Sequence, residues 1–150
     1  MVCWKSEFEY GIPMIDDQHE RMFETCGQLF NLVYGTEMKA VSEEVIKLLR
    51  EILSCSKIHF ETEALLFNAM PLQAHSKLIL EEQSMFLRSI NDYLIQVQSL
   101  DSDKFDKIEN LKVLLSYVLD WLVKHILVTD KKVIPFLKLS GHGTQLSVSC

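Results

Sequence analysis

A chain of 150 residues that is 48% hydrophobic can build one domain with a sizeable core and is too short for two of ordinary size. Its formal charge of −6 excludes the clustered Lys and Arg with which a nucleic-acid binder neutralises phosphates. Cys3, Cys26, Cys55 and Cys150 follow no zinc-finger or CxxC spacing, which argues against a cysteine metal site or a disulfide framework.

The run from Met1 to Glu7 carries charges where a signal peptide needs an apolar stretch. The most apolar segment, Leu111 to Val128, is interrupted by Lys112, Asp120, Lys124 and His125, so it reads as a buried helix and not a membrane span. The expectation is a cytoplasmic protein with reduced thiols and no membrane partner.

Only three prolines and five glycines punctuate the chain, and the stretches between them repeat apolar residues at helical spacing. A first helix is expected from about Asp17 to Met38, entered through Gly11-Ile12-Pro13, with Asp16 and Asp17 suiting the helix dipole. Its apolar face reads Met22, Phe23, Cys26, Leu29, Phe30 and Val33. A second runs from about Val41 to Phe67, with Ser42 and Glu44 as cap residues and a face of Val45, Leu48, Leu49, Ile52, Cys55, His59 and Glu63. A third starts at Pro71, a favoured first-turn residue, and reaches about Gln98. After the polar loop Asp101 to Lys104, a fourth runs from about Phe105 to Val128 and ends near Asp130, with Pro135 capping a short C-terminal segment. The expected fold is all-α, an antiparallel up-down-up-down four-helix bundle over residues 1–137, followed by a flexible tail over 138–150.

Two segments carry the chemistry. His59 and Glu63 stand at i and i+4 and point from one helix face, while His125 and Asp130, at i and i+5, converge only where the fourth helix ends or loosens. His19 follows at the start of the first helix. Taken singly, each histidine reads as a satisfied core or surface residue, and the two carboxylates as members of buried salt bridges. The nearby cations Lys57, Lys131 and Lys132 are placed to face water, however, and a buried unpaired charge costs several kcal/mol. Three histidines and two carboxylates on three helices at compatible heights point to a metal site. Imidazole suits iron, zinc and copper, and a carboxylate from each of two helices can bridge a pair of ions.

Over nearly its whole length the chain resembles the hemerythrins, most closely the bacterial hemerythrin-like domains. The matching stretches are Gly11-Ile-x-x-Ile15-Asp-x-Gln18-His19, His59-Phe60-x-x-Glu63, a Pro71-anchored helix containing His75, and Trp121-Leu-x-x-His125-Ile126-x-x-x-Asp130-Lys-Lys-x-x-Pro135-Phe136-Leu. The resemblance implies a four-helix bundle with a non-haem diiron centre, an oxo or hydroxo bridge between the irons, and reversible binding of dioxygen. It further implies that His19 and His59 hold one iron, that Glu63 and Asp130 bridge the pair, and that His125 with third-helix histidines holds the other. Trp121, Leu122 and Ile126 match apolar positions that line the dioxygen pocket.

The third helix departs from the family, which presents His-x-x-x-His there. If His75 is the first of that pair, Ile79 takes the second position; if the register shifts by a turn, Ile79 and Gln83 take both, and Gln83-Ser-Met-Phe86 resembles the family's His-x-x-Phe. His75, Ile79, Glu82, Gln83 and Phe86 lie close to one helical face, so periodicity leaves both registers open. His75 is the favoured ligand and Glu82 the alternative. In either register the second iron lacks at least one nitrogen, which weakens its hold and changes its redox balance.

Binding, storage or sensing of dioxygen, or of another small diatomic or peroxide ligand, is the expected function. The alternative is a diiron enzyme acting on peroxide, nitric oxide or ferrous iron, although no further general acid or base stands out to support it. A standalone domain favours storage or delivery over signalling. Cys26 and Cys55 are expected to lie near each other toward one end of the bundle, as small buried residues or, on a sharper reading, as a redox-linked pair. His142, between Gly141 and Gly143, reads as a mobile surface residue or as a donor folding back to the centre.

Overall fold

The computed structural model of the chain describes residues 4–35, 40–67, 73–98 and 106–132, without the side chains of 66, 67 and 73–76. Helix α1 (Pro13–Tyr34) begins earlier than Asp17, because Pro13 occupies its first turn with a φ already suited to the helix. Asp16 organises the entry. Its carboxylate accepts the backbone N–H groups of Tyr10, Gly11 and Ile12 at 2.7, 2.8 and 3.0 Å. Gly11 supplies the positive φ of 72° that this turn needs, a conformation costly to any residue with a Cβ.

Helix α2 (Glu43–Phe67) is capped by Ser42, whose Oγ accepts from the Val45 N–H at 3.3 Å. Helix α3 (Gln73–Gln98) follows, and the expected start at Pro71 lies outside the described residues. Helix α4 (Lys107–Lys124) starts from Asp106, whose side chain accepts from Ile108 N and Glu109 N at 3.2 and 2.9 Å. It then widens into a π-helical turn over His125–Asp130. Met38, Phe105, Pro135, the tail from residue 138, and with it His142, lie outside the described residues.

The helices pack as the sequence implies. Gln18 meets Thr62 and Met22 meets Ser56, so α1 and α2 run antiparallel. Glu63 meets Gln83 and Phe60 meets Phe86, while Phe86 meets Trp121 and Tyr93 meets the Lys107 carbonyl, which sets α3 against α2 and α4 in the same alternating sense. Contacts between α1 and α4 close the bundle. No strand occurs among the described residues, and the chain is an all-α helical bundle.

One end of the interior is aliphatic, with Leu29, Leu49, Ile52, Ile90, Leu111 and Leu115 almost fully buried. Toward the other end lies a ladder of rings: Phe60 to Phe86 at 6.0 Å between centroids, Phe86 to Trp121 at 4.2 Å, and Trp121 stacked on His125 at 4.3 Å. This ladder fixes the relative height of α2, α3 and α4. Immediately beyond it the core turns polar.

Candidate metal centre

Five ionisable side chains meet in that polar region, none more than 3% exposed: His19 from α1, His59 and Glu63 from α2, and His125 and Asp130 from the π-helical turn. The i, i+4 pair on α2 arises from ordinary helix geometry, and Glu63 Oε2 lies 3.6 Å from His59 Nε2. The i, i+5 pair needs a different cause. In a regular α-helix the fifth residue is rotated about 140° from the first, so Asp130 would point away from His125. The wider π turn brings it back, and His125 Nε2 stands 3.2 Å from Asp130 Oδ1.

The nitrogen atoms converge. His59 Nε2 is 3.2 Å from His19 Nε2 and 3.4 Å from His125 Nε2, and His19 Nε2 is 3.0 Å from Asp130 Oδ2. His125 Nε2 also approaches Glu63 Oε2 at 3.4 Å. For His59, Nε2 faces the cluster as a lone pair. Gln18 accepts from His59 Nδ1 through its Oε1 at 3.1 Å and donates through Nε2 to Thr62 Oγ1 at 3.2 Å, while Thr62 donates to the Ile58 carbonyl at 2.9 Å. That chain fixes the tautomer, as outer partners of metal-bound histidines do.

Burial sets the charges. His19 is held well below the ordinary histidine range, by burial first and by His59 and His125 second. Burial likewise lowers His59 to about 4, against a smaller opposing effect of Glu63. Asp130 is pushed well above the usual carboxylate range by burial and by the neighbouring Glu63. For Glu63 burial acts upward, but His59 and His125 outweigh it and hold the group near 2. The neutral imidazoles of His19 and His59, facing Glu63 and Asp130, leave few polar hydrogens between them, and both Asp130 oxygens and His19 Nδ1 lack a hydrogen-bond partner. Such a set of inward lone pairs fits a cation, and His59, Glu63, His125 and Asp130 offer donor atoms all within 4.8 Å of one another.

Among the described side chains of α3, the one that reaches the cluster is Gln83, which is buried and donates from Nε2 to Glu63 Oε2 at 2.7 Å. Ile79, one turn away, is also buried. The side chain of His75, the favoured ligand from sequence, lies outside the described residues, and Glu82 is exposed. Glu82 lines a cavity of about 160 Å³ with Met85, Tyr117, Trp121, Lys124, His125 and Thr129, an opening from the surface between α3 and α4 to the His125 ring. Of the three expected pocket residues, Trp121 lines this cavity, whereas Leu122 and Ile126 are packed inside the core.

Spacing alone gave no hint of Tyr10. Its ring lies edge-on to His19 at 5.8 Å, and its hydroxyl donates to the Ile126 carbonyl, in the middle of the π turn. Burial, with Asp130 and Glu63 nearby, raises its pKa and keeps it a donor. Only its place just before the Gly11 turn could have drawn attention to it. Cys26 and Cys55 are both buried thiols, and burial pushes Cys26 up to about 12.

A bundle whose helices turn imidazoles and carboxylates inward to one point is a metal-binding protein of the core-site type. Residues 10–137 match the family described as Hemerythrin HHE cation binding domain, and the chain belongs to the hemerythrin family. It is similar to the bacteriohemerythrin of Clostridium acetobutylicum, 25% identical over 136 residues that cover 89% of this chain and 99% of that protein. It is also similar to the bacteriohemerythrins of Pseudomonas aeruginosa and Pseudomonas paraeruginosa, each 31% identical over 128 residues, covering 83% of this chain and 74% of theirs. No solved structure matches it significantly. Among the described residues, no helix is long and apolar enough to cross a membrane.

Proposed function

We propose that this protein holds iron at the cluster of His19, His59, Glu63, His125 and Asp130 and uses it to bind or sense dioxygen, in the diiron arrangement that the family resemblance implies. The observation that carries the reading is the meeting of three histidine Nε2 atoms with two buried carboxylates, the Asp130 oxygens having no hydrogen-bond partner. Ferrous iron would supply the open position and the electrons with which dioxygen is held.

The chain's own residues set the conditions. Glu63 and Asp130 stand where carboxylates from two elements can be shared between ions, and Gln18 orients His59 through its Nδ1 proton. Core packing of Leu122 and Ile126, and of Trp121 against His125, surrounds the interior side of the histidines with apolar atoms, which favours reversible binding over loss of the metal's electrons. The cavity between α3 and α4 is wide enough for a diatomic ligand or peroxide and reaches His125. Among the described side chains of α3, Gln83 is the one that reaches the cluster, and the side chain of His75, favoured from the sequence, lies outside them.

Anaerobic loading with ferrous iron, followed by cycles of air and argon under optical spectroscopy, tests the reading. A visible absorption that appears in air and vanishes under argon is expected. Prompt irreversible oxidation, or multiple turnovers with peroxide, would overturn it in favour of an enzyme.

A further inference from the structure

We propose that the centre is strongly unequal: one ion is held by the full donor set, and the second position, which α3 would have to complete, is weak. This rests on the metal-centre reading above and adds how many ions the chain retains.

The donors are distributed on one side. Donor atoms on a single ion, each at about 2.1 Å, lie at most about 4.2 Å apart across it. His59 Nε2 lies 3.4, 3.6 and 3.9 Å from His125 Nε2, Glu63 Oε2 and Asp130 Oδ2, and His125 Nε2 lies 3.4 and 3.2 Å from Glu63 Oε2 and Asp130 Oδ1, all below that limit; His19 Nε2 adjoins the set at 3.0 Å from Asp130 Oδ2 and 3.2 Å from His59 Nε2. Four donors from α2 and the π turn therefore gather about one position, with His19 of α1 beside them. Two ions about 3.5–4 Å apart need terminal donors on both flanks.

The flank toward α3 lacks them among the described side chains. At the height fixed by the Phe60, Phe86 and Trp121 rings, α3 turns Ile79 and Gln83 inward. An isoleucine ligates nothing. Gln83 presents its NH₂ end to Glu63 Oε2, which places partial positive charge beside the carboxylate atom that a second ion would share. Turned over, the amide would offer only a neutral oxygen, a poorer donor to ferrous iron than imidazole. His75 stands eight residues along α3 from Gln83, about 12 Å of helix rise. The Gln83 contact thus does for Glu63 what a second cation would do, by hydrogen bonding instead of coordination.

The test is anaerobic equilibrium dialysis of the full chain against ferrous iron, then against a competing chelator, counting ions per chain by elemental analysis. One ion should survive, and a second should appear only in excess iron, with an affinity about 100-fold weaker or more. The double variant Ile79→His/Gln83→His, checked for helicity by circular dichroism, should retain two. Gln83→His alone, which leaves the core isoleucine in place, should tighten the second ion at least tenfold.

Two ions retained equally by the unaltered chain would overturn the proposal, as would two ions falling to one in His75→Ala. Folded variants that still retain one ion, with the second no tighter, would overturn the assignment to α3. Failure to retain any ion would instead overturn the metal-centre reading itself, a result distinct from equal retention of two.

Discussion

The metal-free protein should lose stability as the solution is acidified from about pH 6.5 to 5, well above the range in which ordinary carboxylates titrate. Burial lowers His59 from 6.5 to about 4, and holds His19 well below the ordinary histidine range for the same reason. The unfolded chain therefore binds two protons that the folded chain refuses. Their stabilising contribution is complete above the unfolded pKa and drains away as pH falls toward the folded values. Asp130 works the other way. Its folded pKa is raised, so its contribution is complete at low pH and is lost as pH rises through that folded value. Glu63, near 2 when folded, is ionised in both states above the ordinary glutamate value of 4.5, and its stabilisation fades only between 4.5 and 2.

Between about pH 5 and 6 His59 alone leaves close to one extra proton on the unfolded state and makes stability rise by about 1.4 kcal/mol per pH unit, a slope that His19 adds to and Asp130 opposes. His59 alone contributes about 3 kcal/mol over its whole window. Urea unfolding of chelator-treated protein, followed by circular dichroism, should show the midpoint falling by about 0.7 M per pH unit if the urea dependence is about 2 kcal/mol/M. A midpoint that stays level or rises on acidification from pH 6.5 to 5 would refute the description of His19 and His59 as buried neutral imidazoles. His59→Gln should flatten the slope.

Other perturbations test the scaffold. Asp106→Ala removes the acceptor for two N–H groups at the start of α4 and should cost about 1 kcal/mol in chemical denaturation. Leu49→Ala empties a fully buried position and should cost about 2–5 kcal/mol in the same assay. Tyr10→Phe withdraws the donor to the Ile126 carbonyl and should cost about 1–3 kcal/mol; an unchanged midpoint would mean that the carbonyl finds another donor. Cys26, held near 12 by burial, should resist thiol reagents at pH 8 in folded protein and react once urea unfolds it.

Much of this centre was legible because helical spacing is local. His59 with Glu63 needs only one turn of α2, and the apolar runs around His19 and His125 announced their burial. The bundle followed from four such stripes and the loops between them. The height of α3 was different in kind. Residues His75 to Phe86 share a face, and periodicity along one helix says nothing about how far that helix slides against its neighbours. The aromatic ladder through Phe86 settles it, by contacts between residues far apart in sequence. The start of α1 was misplaced because Asp16 and Asp17 suggested a helix start, whereas Asp16 serves the turn before the helix and Pro13 opens the helix itself. Tyr10 was invisible for a related reason, since its partner is a backbone carbonyl 116 residues away.

The π turn at His125–Asp130 carries one residue more than a regular turn. The centre therefore rests on a backbone conformation as well as on its side chains. With the residue count unchanged, an ordinary helix through this stretch would rotate Asp130 about 140° away from His125. With one residue fewer, the two would stand four apart and share a face of an ordinary helix, as His59 and Glu63 do. In this stretch of the chain, length and helix type encode the site together, and neither residue identity nor spacing read alone tells an intact centre from a dismantled one.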